Sequence, residues 1–341
     1  MHDGWLDPEP FLRGAPWRYE GRVVRADPED RLRLPLDTWE RAQIPAGVRL
    51  EFTADGATAV EVRYTAGEPG PAEALRDPAP AFELHRSGEA LVRFPARPCA
   101  DATVRVPLPG GAGPFTLHLP ESLSPRLLGV RPAAGPSAGP ATGTVAPAPP
   151  RPRWAVYGDS ITEGWFASRP SLAWTAVAAQ ALELDHTNLG YAGAGRGELA
   201  CAEQLAALPA EVLTLAFGTN CWSAVPHSPD LLRETTRLFL ALVREHRPDT
   251  PLLVVSPVLR PEAEDRPNDA GATLSELRAS LESAVSERVA AGDKHLALLP
   301  GAPLLGPDHL VDGVHPNDAG HARLAAAVVT ALRNAGFAPP V

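Results

Sequence analysis

The sequence predicts two domains of different class, an all-β first half and a parallel α/β second half. The first sign is length: 341 residues is about twice the commonest single-domain size. The second is a change of hydrophobic period, from two residues in the first half to a strand, loop and helix alternation in the second. The third is the stretch between them, 132–152, with seven Pro and three Gly in twenty-one residues and no charge before Arg151, the composition of a linker. The expected units are therefore 1–131, a spacer over 132–152, and 153–341.

In the first half, Val48, Leu50 and Phe52 alternate with Arg49, Glu51 and Thr53. After Asp55-Gly56, Val60, Val62 and Tyr64 alternate with Glu61 and Arg63, which reads as a hairpin. Further short runs near 82–85, 90–94, 103–108, 115–119 and 127–131 are broken by Pro and Gly clusters. Strands recurring at this spacing predict an antiparallel β-sandwich or jelly roll, with no helix of useful length. His85 and His118 fall inside strand patterns without a partner at ligand spacing and read as structural residues.

In the second half, apolar strand candidates at 154–157, 186–189, 212–217, 252–256 and 295–299 alternate with helical stretches at 172–184, 198–208, 229–246, 273–291 and 318–334. Five buried strands alternating with helices make a doubly wound parallel sheet, whose sites lie at the carboxyl ends of the strands.

Composition removes several classes of function. Net charge is -10, and acidic residues outnumber basic ones in both halves, so no nucleic-acid partner is expected. No run approaches the ~20 apolar residues that span a bilayer, and Met1-His2-Asp3-Gly4-Trp5-Leu6-Asp7-Pro8 has neither a basic nor an apolar signal region. The three cysteines, Cys99, Cys201 and Cys221, have no metal-ligand spacing and suit a reducing compartment. A cytoplasmic enzyme without metal or membrane partner is the expectation. Lys294 is the single lysine, and with 39 Pro this reflects a GC-rich genome rather than function.

The strand ends carry the chemistry. The first runs into Gly158-Asp159-Ser160-Ile161-Thr162-Glu163-Gly164, which delivers a hydroxyl, although a Ser in such a turn also serves as a helix cap. The second ends in Asn188-Leu189-Gly190-Tyr191-Ala192-Gly193 and offers unobstructed backbone N–H groups. The third ends in Phe217-Gly218-Thr219-Asn220, with a side-chain amide. The last is followed by Asp312-Gly313-Val314-His315-Pro316, an acid three residues before an imidazole. A serine hydroxyl becomes a nucleophile when an imidazole takes its proton, and a carboxylate fixes the tautomer of that imidazole. The oxyanion needs preorganised donors, each worth about 2.7 to 4 kcal/mol in a hydrolase; the Ser160 N–H, the Gly193 N–H and the Asn220 amide are the candidates.

This ordered set resembles the SGNH, or GDSL, hydrolase family. Its four blocks are matched by Gly158-Asp159-Ser160-Ile161-Thr162, by Gly193, by Gly218-Thr219-Asn220, and by Asp312-Gly313-Val314-His315-Pro316. The resemblance covers the whole second half. It implies a flavodoxin-like α/β/α domain with Ser160 as nucleophile, His315 as base, Asp312 as orienting acid, and Gly193 and Asn220 completing the oxyanion hole. It implies no cofactor. Cys221 departs from the pattern, since many members carry Asp there.

Several decoys compete. Gly135-Pro136-Ser137-Ala138-Gly139 satisfies G-x-S-x-G but lies in the spacer, with no strand before it. The glycines at 190, 193, 195 and 197 lack dinucleotide-loop spacing. Asp308-His309 is an adjacent pair that turns together poorly, and Cys221 reads as a buried, inert thiol. Trp222 and Arg196 are candidate substrate contacts, Arg196 for a carboxylate or phosphate, and a surface Arg is the alternative reading. The polar stretch 260–268 follows the fourth strand and is placed to cover the site.

Three functions are then in play. An esterase deacylating a small hydroxylated molecule ranks first: a β-sandwich before an SGNH domain is similar to family-two carbohydrate esterases, which makes the first half carbohydrate-binding-module-like. An acyltransferase moving an acyl group from a thioester to a hydroxyl acceptor ranks close behind, since the layout is also similar to GDSL acyltransferases of actinomycete polyketide tailoring. A non-enzymatic binding protein with a vestigial second domain ranks last, because all four blocks are intact.

Overall fold

Alternation places one face of each first-half strand inward. The computed structural model, which describes residues 4–77, 79–109, 113–133 and 143–337, packs those faces together from two antiparallel sheets. One sheet runs Leu12–Arg13, Arg49–Asp55, Gly113–His118, Ala81–Arg86, Glu89–Pro95; the other runs Arg126–Ala133, Ala59–Ala66, Cys99–Pro107. Leu50, Phe52, Phe82, Leu84, Phe115 and Leu117 from the first meet Val60, Val62, Val106 and Val130 from the second. The expected hairpin is corrected here. Arg49–Asp55 and Ala59–Ala66 belong to opposite sheets, because the chain crosses the core at Asp55-Gly56 and both apolar faces point into one interior.

The spacer is also more structured than its composition predicts. Thr144–Pro147 pairs antiparallel with Arg49–Asp55, Val145 opposite Ala54, and Val145 reaches the sandwich core. The Ala148 N–H donates to the Glu51 carbonyl at 3.1 Å, and Arg151 pairs with the Glu51 carboxylate. Residues 134–142, which include the Gly135 to Gly139 motif, lie outside the described residues.

The second half is a five-stranded parallel sheet in the order Asp185–Gly190, Arg153–Gly158, Val212–Ala216, Leu252–Val255, Leu296–Leu299. Helices Trp174–Ala181 and Asp318–Asn334 cover one face, where Trp154, Val156, Leu253 and Val255 are buried. Leu199–Ala207, Pro229–His246 and Leu274–Ala290 cover the other, over Ala155, Tyr157, Leu213 and Val254. Burial on both faces explains why the strands read as continuous apolar runs. Among the described residues, no helix is long and apolar enough to cross a membrane.

The halves share a core. Ala26, Leu34, Trp39 and Ala42, the last two on the short helix Leu36–Ala42, are buried with Tyr157, Leu189 and Tyr191 of the second half. On the other side Arg49 donates to Asp185 Oδ1 at 2.7 Å and to the His186 carbonyl at 3.1 Å. The cleft there has a volume of about 650 Å³ and is lined by His85, His118 and His186. The rings of His85 and His118 lie 4.9 Å apart, and His85 pairs with Glu83.

Three buried histidines make stability sensitive to acid. Burial, reinforced by His85 and Arg49 against the opposing charges of Glu83 and Glu51, pushes His118 down to about 3. Burial likewise takes His321 down to about 4 and His186 well below its ordinary value. The unfolded chain binds these protons near pH 6.5 while the folded chain does not, so their stabilisation is complete above pH 6.5 and is lost as pH falls towards the folded values. At about 1.4 kcal/mol per pH unit for each group, the three histidines lower the unfolding free energy as pH falls below 6.5, while Asp159, whose carboxyl burial pushes up to about 7, opposes them by one such share, so the net slope is expected to approach about 3 kcal/mol per unit near pH 5. Urea titrations across that range check this, with His118→Gln removing about half of the net slope. A profile flat down to pH 5 would contradict it.

Candidate active site

Two loops close over the end of strand Arg153–Gly158 because glycines let the backbones touch. A Cβ on Gly158 would lie 2.2 Å from Thr162 Oγ1 and 2.4 Å from the Ala216 carbonyl oxygen; one on Gly190 would lie 2.2 Å from the Glu163 nitrogen. Asp159 then starts the helical turn Ser160–Glu163, its Oδ1 accepting the Ile161 N–H at 2.9 Å. Burial pushes the Asp159 carboxyl up to about 7 even against the N–H groups of Ile161 and Thr162.

At the head of that turn, Ser160 Oγ lies 2.9 Å from His315 Nε2, and His315 Nδ1 lies 2.7 Å from Asp312 Oδ2. Asp312 Oδ1 accepts the N–H of Val314 at 3.0 Å and of His315 at 2.9 Å. Burial works to raise the Asp312 carboxyl, but the His315 backbone N–H, ring and charge and the Val314 N–H outweigh it, and the net effect holds it below its ordinary value. An ionised Asp312 accepts a hydrogen bond from the Nδ1–H, which fixes the tautomer and leaves the Nε2 lone pair for the Ser160 hydroxyl. The loop is pinned by a Leu310 to Pro316 bridge and by the Val311 N–H donating to the His315 carbonyl at 2.9 Å. His309, the rival imidazole, accepts the Gly306 N–H on Nδ1 at 3.0 Å.

Sequence reasoning missed the aromatic setting of His315. Trp165 and Phe166 stand 5.4 and 5.5 Å from its ring, covering it and limiting its rotation. An aromatic pair directly after Gly164 was the available signal. His321 donates from Nε2 to the Trp165 carbonyl at 3.0 Å, fixing that segment from beneath.

Of the oxyanion candidates, Gly193 has φ +74°, a conformation that suits glycine, with nothing within 4 Å of where a Cβ would stand. Asn220 Nδ2 donates one hydrogen to the Ala194 carbonyl at 2.5 Å, which orients the amide and leaves the second hydrogen free of that bond.

Arg196 is engaged within the protein. Its guanidinium donates to both oxygens of Asp37, at 2.7 and 3.0 Å, and to the Gly193 carbonyl at 2.9 Å, with Glu198 3.5 Å away. Its charge is matched there and it braces the Gly193 loop; the partner Asp37 comes from the first half, beyond the reach of local pattern. Trp222 is largely covered too. Its Nε1–H donates to the Arg266 carbonyl at 2.9 Å and the Arg260 guanidinium lies 4.6 Å above its ring, so the 260–268 stretch packs beside the site. Cys221 is fully buried, and burial pushes its thiol far above its ordinary value.

At the end of the turn that carries Ser160 lies Glu163, its side chain fully buried. Arg25, Arg41 and Arg76 of the first half all pair with it. Arg41 also reaches Glu73, and Arg76 reaches Glu121. Burial alone would raise the Glu163 carboxyl; the charges of Arg41, Arg25 and Arg76 outweigh it and hold it at about 2. Glu163 in turn accepts the Ala192 N–H at 2.9 Å and the Trp165 Nε1–H at 3.2 Å, joining the oxyanion loop to the wall beside His315.

Residues 152–333, more than half of the chain, match the GDSL-like lipase/acylhydrolase family. The chain belongs to that family and is an enzyme of ester chemistry. No curated protein matches it by sequence. Among solved structures, the salicylyl-acyltransferase SsfX3 from a tetracycline biosynthetic pathway is 28% identical, with a TM-score of 0.82 and 95% of this chain and 94% of that one covered. A family-two carbohydrate esterase from Clostridium thermocellum, in complex with cellohexaose, is 18% identical, with a TM-score of 0.62 and coverage of 85% and 92%. An acetyl xylan esterase from Butyrivibrio proteoclasticus is 14% identical, with a TM-score of 0.63 and coverage of 99% and 97%. The last two likenesses concern the fold alone.

Removing one partner from a buried ion cluster leaves a charge without compensation, at a cost of about 3–5 kcal/mol. Arg25 has no exposed surface and also donates to the carbonyls of Ile44, Asn188 and Gly190. Arg25→Met is therefore expected to lower the urea-unfolding free energy by at least about 3 kcal/mol; a change below about 1 kcal/mol would contradict the part assigned to the cluster.

Proposed function

We propose that the protein is a serine esterase that forms an acyl-Ser160 intermediate on an O-acyl ester of a small hydroxylated molecule. The observation that carries this reading is the unbroken line from Asp312 through His315 to the Ser160 hydroxyl, at 2.7 and 2.9 Å. Ser160 Oγ attacks the ester carbonyl while His315 Nε2 takes its proton and Asp312 stabilises the imidazolium. The oxyanion is held by the N–H groups of Ser160 and Gly193 and the Asn220 amide. Collapse breaks the bond to the alcohol, which leaves with the proton from His315. Water, deprotonated by His315, then attacks the acyl-Ser160 carbonyl and releases the acid. The Asp312 side chain is 41% exposed, so the edge of the site is open to water, which favours hydrolysis. Unpaired Cys99, Cys201 and Cys221 support a reducing, cytoplasmic setting.

A second reading is favoured by the 28% identity to the salicylyl-acyltransferase across nearly both whole chains. In it the same acyl-enzyme, loaded from a thioester, is captured by the hydroxyl of a natural-product acceptor. Water and alcohol attack the same carbonyl, so the two readings share every residue named.

Ser160→Ala and His315→Ala are each expected to lower kcat for p-nitrophenyl acetate by roughly 10⁴-fold or more with the fold intact, and Asp312→Ala by less, since the imidazole stays in place. Ser160→Ala should also abolish fluorophosphonate labelling; wild-type labelling of that variant would remove the nucleophile.

The fate of the acyl group separates the readings. An esterase gives steady turnover with free acid as product. A transferase gives a burst of acylation and slow release, accelerated by an acceptor alcohol with a new ester appearing. Mass spectrometry of the enzyme loaded from a thioester and chased with sugar or polyketide alcohols measures this, and a long-lived acyl-Ser160 discharged by one hydroxyl compound would overturn the esterase.

A further inference from the structure

Among the described residues, the six most buried arginines, Arg25, Arg49, Arg76, Arg196, Arg244 and Arg278, each have a carboxylate partner. Half-buried Arg260 breaks the pattern. No carboxylate pairs with its guanidinium within 4.0 Å among the described residues, although its backbone N–H donates to Glu264 Oε1 at 3.1 Å, and its Nε is sealed from water without an acceptor. The nearby acids are engaged elsewhere: Glu262 pairs with Arg266 at 2.8 Å, and Glu264 with Arg278 at 2.7 Å. Burial, opposed only in part by the more distant charges of Glu262 and Asp312, pulls the guanidinium below its ordinary value.

Arg260 is nonetheless firmly placed. Its guanidinium carbon lies over the Trp222 ring at 4.6 Å, a cation–π contact, and Nη1 donates to Ser223 Oγ at 3.1 Å. Ser223 lies on the short helix Asn220–Ser223, one turn after the oxyanion candidate Asn220. Asp312 is near enough for its charge to be felt. The guanidinium is thus held against the helix that begins with Asn220, with one donor in use and a positive charge that no described carboxylate pairs with directly.

We propose that Arg260 recognises an anionic group, a carboxylate or phosphate, carried by the substrate on its acyl or its alcohol side. The proposal rests on the acyl-Ser160 reading and narrows its hydroxylated molecule to a charged one. An incoming anion matches the unpaired charge, and the planar guanidinium suits the geometry of both groups. In a chain of net charge -10, which repels anions at long range, a fixed local cation is what allows one to dock.

The test compares kcat/KM within charged and neutral pairs. p-Nitrophenyl hemisuccinate against p-nitrophenyl butyrate puts a carboxylate on the acyl side, 4-acetoxybenzoate against its methyl ester puts one on the alcohol side, and 4-acetoxyphenyl phosphate against phenyl acetate adds phosphate. The wild type is expected to favour at least one charged member. Arg260→Gln should cut that charged-to-neutral ratio about tenfold, with Arg260→Lys between the two because the charge remains without the planar fork. Raising NaCl to about 0.5 M should shrink the wild-type ratio, a measurement that decides the matter even if a variant folds poorly. Ratios equal in wild type and Arg260→Gln for all three pairs, with Ser160 still labelled by fluorophosphonate, would overturn the role of Arg260 alone. A wild type that neither labels nor cleaves any of the six esters would overturn the acyl-Ser160 reading and this proposal with it.

Discussion

The turn that carries Ser160 depends on one buried carboxylate and the three guanidinium groups that surround it. Glu163 is taken wholly out of water, and an isolated charge in that position would cost several kcal/mol. Arg25, Arg41 and Arg76 remove that cost only if they arrive together, and their own charges are balanced by Glu73, Glu121 and Glu163. All three arginines belong to the first half, while Glu163 ends the helical turn that begins with Ser160. The sandwich and its leading segment are therefore joined to the second half by buried charge as well as by a shared apolar core.

The cluster also explains how remote residues set local geometry. One Glu163 oxygen receives the Ala192 N–H and the other the Trp165 indole N–H. The first orders the loop that presents Gly193; the second orients a ring that leans on His315. Arg196 completes the frame by gripping the Gly193 carbonyl while Asp37 grips Arg196. The Gly193 loop is thus held from both sides by contacts that cross between the halves, the kind of preorganisation that the proposed oxyanion donors require.

What was legible in the sequence was local. Ser160, Gly193, Asn220 and the Asp312 to His315 pair sit at strand ends, and strands and helices of the second half carry their period within short windows of chain. What was hidden depends on distant pairing. Alternation at positions such as Leu50 and Val62 tells which face is buried, not which strand lies beside it, so two opposed strands resembled a hairpin. Thr144–Pro147 has one inward residue, Val145, too little apolar signal to stand out from a proline-rich stretch. Arg196 looked available because its partner Asp37 is 159 positions away, and the arginines around Glu163 have no motif at all.

The last feature is the double use of Asp312. One oxygen holds the imidazole and the other holds the backbone N–H groups of Val314 and His315, so the acid, the base and the turn that aims them form one four-residue unit. The bonds that align acid with base all lie inside that unit. Insertions elsewhere, in the loops that shape what enters the cleft, can move this unit as a whole but cannot split acid from base. Changes to the surroundings of this unit can therefore alter what enters the cleft without disturbing the hydrogen bonds that orient His315.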